Sequence, residues 1–63
     1  MLIESLFVLT GPTYVKNIRL KLLQVPRIGE TVTFFDVVYE VLGINWHFED
    51  GTPIIATIYA NKG

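Results

Sequence analysis

The sequence predicts an all-β protein, one small domain over residues 1–63 folded as a five-stranded antiparallel curved sheet or barrel. Three observations lead there. Breakers at Gly11-Pro12, Pro26 to Gly29, Gly43 and Asp50-Gly51 to Pro53 cut the chain into pieces of strand length, not helix length. The pieces are rich in Val, Ile, Thr, Phe and Tyr, which suit a pleated surface. Within most of them apolar side chains alternate with polar ones, the period of a half-buried strand.

The first strand is expected over residues 2–9. Both of its faces carry apolar side chains: Ile3, Phe7 and Leu9 on one, Leu2, Leu6 and Val8 on the other. A strand covered on both sides reads this way, and so does one at a subunit contact. A short helix is the alternative, because Leu2, Leu6 and Leu9 also share a helical face. A loop at residues 10–13 follows. The second strand, residues 14–23, points Tyr14, Ile18, Leu20 and Leu22 one way and Asn17, Arg19 and Lys21 the other, with Lys16 breaking the apolar face.

Residues 25–30 form a turn, since proline fixes one backbone angle and glycine permits a positive one. The third strand, residues 31–35, sets Val32 and Phe34 against Thr31, Thr33 and Phe35, and Asp36 begins a tight connection. The fourth, residues 37–48, has Val37, Tyr39 and Val41 on one face. Past Gly43 the apolar phase shifts to Ile44, Trp46 and Phe48. A one-residue phase change at a glycine predicts a β-bulge, which bends the strand and helps a five-stranded sheet to curl. Asp50-Gly51 marks a hairpin. The fifth strand, residues 53–60, places Ile54, Ala56 and Ile58 opposite Ile55, Thr57 and Tyr59, and residues 61–63 are expected to fray. Such a molecule is a strongly curved barrel of SH3-like or OB-like type, or a flatter sheet completed by a second subunit.

Pro26-x-x-Gly29-Glu30-x-Val32, then Tyr39-x-Val41, then Ile44-x-Trp46, a hairpin and a final strand together resemble short uncharacterised SH3-like small β-barrel proteins of bacteria and phages. The likeness covers about half the chain. It implies the fold and carries over no activity and no catalytic residue.

Composition narrows the function classes. Hydrophobic residues make up 51% and charged residues 17%, and mean hydropathy is +0.46. This excludes intrinsic disorder. Cysteine is absent and histidine occurs once, so neither a disulfide staple nor a thiolate or multi-histidine metal site can form. Net charge is −1, without the basic excess of a nucleic-acid-binding module. No apolar run approaches the roughly 20 residues of a membrane helix. No positive residue precedes the apolar N-terminal stretch, so a cytoplasmic protein without a secretory signal is expected.

Candidate chemistry is sparse. His47 faces away from Trp46 and Phe48, with Glu49 the one acid near its face. No nucleophile adjoins it, so it reads as a surface residue. Glu49 and Asp50 are neighbours, which on a strand point apart, and they belong to the turn. The loops at Gly11 and Gly29 lack phosphate-cradling spacing. An enzyme is not expected, and no cofactor, metal or small-molecule substrate is implied. Trp46, Phe34 and Tyr39 are assigned to the core, while Phe35 and Tyr59, with threonine neighbours, are assigned to the surface.

Charge placement is the most informative feature. Residues 14–27 hold Lys16, Arg19, Lys21 and Arg27 without an acid. Residues 28–51 hold Glu30, Asp36, Glu40, Glu49 and Asp50 without Lys or Arg. Cross-strand pairing would neutralise the split; otherwise the molecule has a basic and an acidic side suited to assembly. So short and apolar a chain has more hydrophobic surface than it can bury alone. The expected function is therefore a non-enzymatic interaction or assembly module. It would be a homo-oligomer or would bind a larger protein, a phage-like accessory or inhibitor protein being one form. Leu2, Leu6, Phe7, Phe35, Ile55 and Tyr59 are the candidate contacts. The alternative is a nucleic-acid-binding barrel using Lys16, Arg19, Lys21 and Arg27, against which the acidic balance argues.

Overall fold

The computed structural model describes residues 2–63, apart from the side chain of Pro53. Five strands form one sheet: β1 (Ile3–Thr10), β2 (Val15–Leu22), β3 (Thr31–Phe34), β4 (Val37–Glu49) and β5 (Thr52–Lys62). Their order across the sheet is β2-β1-β5-β4-β3. The sheet curls into a half-barrel, as the sequence predicts.

Three pairings are antiparallel, while β1 and β5 run parallel. The direction follows from the connections. Each one reverses the chain, so the first and fifth strands point the same way. Once they become neighbours, they must pair in parallel. Residues 23–30 carry the chain between the sheet's two outer strands. β1 is thus an inner strand, hydrogen-bonded to β2 on one side and β5 on the other. Its two-faced apolar pattern reflects that central position, and neither of its edges is free for a second subunit.

The core lies on the concave face. Phe7, Leu9, Tyr39, Val41, Ala56, Ile58 and Ala60 are buried there. Ser5 is buried beside them, and its hydroxyl is satisfied by donation to the Ile3 carbonyl, 3.0 Å away. The small side chains Ser5, Ala56 and Ala60 sit on the two middle strands. That leaves room for β3 to fold over the centre, where Phe34 packs edge-on against Phe7 with centroids 5.0 Å apart.

The turns obey local chemistry. Asp50 and Gly51 both have positive φ, 53° and 77°, the pair of angles that a two-residue type I′ hairpin requires. Phe35 and Asp36 do the same at 53° and 64°. Phe35 is therefore a turn residue and not the last residue of a strand, as its threonine-rich neighbourhood suggests. At the end of the molecule opposite Asp50-Gly51, where the Phe35-Asp36 turn also lies, a Cβ on Gly11 would fall inside the Tyr14 ring. Glycine there lets the ring pass and its hydroxyl reach that of Tyr39 at 2.8 Å.

The expected irregularity at Gly43 is present as a register shift between Val41 and Gly43 in the β4–β5 ladder. A second shift lies between His47 and Phe48. Residues 61–62, expected to fray, instead continue β5: Lys62 pairs with Tyr39, and the Gly63 amide donates to the Val38 carbonyl at 3.2 Å.

Candidate functional site

Strand lengths create the main surface feature. β5 pairs with β1 only from Ala56 onward. β4 pairs with β3 only over Val37 to Glu40, after which Val41 exchanges backbone hydrogen bonds with Gly29 and Glu30. Beyond these points β4 and β5 pair with each other alone. The result is a two-stranded arm that overhangs the sheet. Four residues at strand rise give about 14 Å of β4–β5 ladder without outer partners, β1 and β2 continuing two rows further to Ile3 and Leu22 without joining it, and the molecule measures 37 × 19 × 19 Å.

The arm's inward side is apolar and uncovered. Trp46, Phe48 and Ile54 are 38%, 56% and 42% exposed, and the Trp46 and Phe48 rings lie 6.4 Å apart. The arm's tip carries Glu49 and Asp50. Trp46, expected in the core, stands clear of it because the Trp46–Ala56 pair is the last row before β1 drops away. Both outer edges of the arm, residues 42–49 and 52–55, lack backbone partners among the described residues.

A groove of about 390 Å³ runs between the sheet's two outer strands. Leu20 and Leu22 of β2 form one wall, Val32 and Phe34 of β3 the other, and Phe7 the floor. At one end Lys16 bridges the gap, its Nζ 5.2 Å from the Tyr14 ring centre and 5.4 Å from that of Phe35. At the other end the groove opens beside Gln24, Val25 and Pro26. Leu22 lies opposite Ile3, so this open end is the end from which the arm projects.

The residues singled out in the sequence fall in different places. Leu6, Ile55 and Tyr59 come together on the convex face: Leu6 pairs with Thr57, which Ile55 and Tyr59 flank on the same side of β5. Tyr59 is 46% exposed there. Leu2 is exposed just before β1. Phe35 is 75% exposed at the β3–β4 turn, far from the other three. Phe7 offers no outward surface. It points to the concave side and is 2% exposed, because odd positions of β1 face the core. The outward half of that strand is its even positions.

The basic strip is split. Arg19 and Lys21 face the convex side with Asn17, and Lys16 faces the other way. Arg19 lies 3.7 Å from Glu4, the one ion pair among the described residues. Arg27 sits in the loop before β3, where its amide donates to the Glu30 carboxylate at 2.6 Å. The basic segment 14–27 and the acidic segment 28–51 therefore do not neutralise each other through side-chain ion pairs. The β2 edge stays basic, and the β3–β4 side and the arm tip stay acidic.

His47 is exposed on the outer side of the arm, opposite Ile55. Among the described residues no group of three or more His, Cys, Asp or Glu is placed to hold a metal ion. Among the described residues no helix is long and apolar enough to cross a membrane. The Tyr39 phenol is held above its ordinary value of 10.0 by its hydrogen bond to Tyr14 and then by burial. It is a structural bond inside the half-barrel, with no open site around it.

Sequence reasoning missed the arm as a unit. The signal was available in lengths: a fourth strand about twice as long as the third must overhang. No protein-family model, curated protein or solved structure matches the chain.

Proposed function

We propose that the protein is a non-enzymatic interaction module that binds protein through apolar surface its own fold leaves open. One observation carries this reading. Among the described residues only seven hydrophobic side chains are buried, while twelve large ones stand exposed. Scattered exposed apolar residues need no explanation. Here three of them share one side of a projecting arm whose strand edges are also unpaired, an arrangement that recruits another chain by strand addition. A short accessory protein that adapts or inhibits a larger one is one form of such a module. A nucleic-acid role has less support, because Lys16 faces away from Arg19 and Lys21 and the chain carries no basic excess.

The test is chemical cross-linking of the purified chain, alone and in extract of its own cells. Trp46→Ser with Phe48→Ser, and separately Tyr59→Lys, serve as variants. Protein adducts that vanish with the arm variant are expected. A chain that forms no protein adduct, or whose adducts ignore every variant, overturns the proposal.

A further inference from the structure

Resting on that reading, we infer that the arm's partner is a second copy of this chain, and that two copies join by laying each arm in the other's β2–β3 groove. Three independent features fit. The first is shape. The groove is a gap in the half-barrel wall between β2 and β3, bounded by the free edge of β2, and the arm's β4 segment also has a free edge. The arm's β4, entering beside β2, would pair with that edge and carry its β5 partner in with it.

The second is direction. In each copy the arm projects from the end at which the groove opens. Two copies approaching end to end thus bring each arm to the other's groove at once. β2 runs toward that end, and β4 runs outward along the arm. The partner's β4 therefore meets β2 antiparallel, and the contact closes by two-fold symmetry, without open growth.

The third is charge. Arm against arm would set Glu49 and Asp50 against acids, and β2 against β2 would set Lys16, Arg19 and Lys21 against bases. Arm along the β2 edge matches acid to base through Lys16, Arg19 and Lys21, while the one charged residue of the groove's own lining is Glu30. Strand alternation makes the fit specific. With Glu49 opposite Arg19, Phe48 lies opposite Leu20 and Trp46 opposite Leu22, all four apolar side chains on the inner face. Leu20 is 39% and Phe48 56% exposed in the single chain, and both would be covered. The tip at Asp50 would fall opposite Ile18, two residues short of Lys16.

Mass in solution over a range of concentrations, by light scattering or sedimentation, tests this. The wild-type chain is expected at twice its 7.2 kDa. Glu49→Lys alone and Arg19→Glu alone should each weaken the dimer at least about tenfold. Mixing the two variants should restore it, because each arm then meets a β2 edge of opposite sign. Phe48→Ser, which lies outside the core, should also yield a folded monomer by circular dichroism. A wild-type monomer at every concentration overturns the inference, as does a dimer indifferent to all three variants. A monomer that still cross-links to a different protein through Trp46 and Phe48 leaves the interaction reading standing and removes only self-association.

Discussion

Tyr39 shows how one residue ties the ends of the curl together. It sits on β4, 1% exposed, and its hydroxyl meets that of Tyr14 across the half-barrel. Tyr14 reaches it only because Gly11 leaves the ring room. The hydrogen bond and burial both favour the neutral phenol, so its folded-state pKa lies above 10.0. The sign follows: the unfolded chain ionises first as pH rises, so this contribution is whole below about pH 10 and lost above it. Urea unfolding followed through alkaline pH is expected to show stability falling in that range. Tyr39→Phe should flatten the fall, and an unchanged slope would exclude the role. The same residue marks what was readable at this scale. Alternation with Val37 and Val41 places Tyr39 inward from sequence alone. Its partnership with Tyr14, twenty-five positions away, depends on how the sheet curls, which no local pattern encodes.

At the scale of elements, the arm is the least supported part of the sheet, since its strands have only each other. Isolated two-stranded hairpins are marginal in water. Its integrity therefore leans on the Asp50-Gly51 turn, where Gly51 holds φ at 77°. Gly51→Ala at such an angle should cost about 1 kcal/mol. Hydrogen exchange is expected to quicken in residues 46–55 while the core amides stay protected. Uniform acceleration would mean that the arm and the sheet open together. Strand existence and inward faces were legible, because breakers and period-two alternation are local signals. The bulge at Gly43 was legible for the same reason, as a phase slip. Trp46 was misplaced because its alternation is correct and its cover is missing. Alternation tells which way a side chain points, and neighbouring strand lengths decide whether anything lies there.

For the molecule as a whole, two antiparallel units share one seam. β1 with β2 is one unit, β3 with β4 and β5 the other, and only the parallel β1–β5 pairing joins them into a sheet. Ile58 lies in that seam beside Phe7, fully buried. Ile58→Ala should lower stability by about 2–5 kcal/mol, read from the urea midpoint. A loss below about 1 kcal/mol would mean that the seam repacks freely. Strand order was the part the sequence left open, since it depends on which strands meet after curling. The charge split, by contrast, was visible from the start. Its consequence, opposite signs at the arm tip and the β2 edge, awaited the order of the strands.

That seam also sets a tempo. Either unit can close on contacts near in sequence, by turns of two to four residues. Ser5 and Ala56, which face each other across the seam, are separated by roughly fifty positions, and ordering the chain between them carries an entropy cost that local hairpins avoid. The meeting of its first and last strands is therefore the costliest pairing in building the half-barrel. Without that pairing the two hairpin units would leave their apolar faces open. In that unjoined state, before any arm or groove exists as a finished shape, a neighbouring copy's unpaired strands could most easily be mistaken for the chain's own.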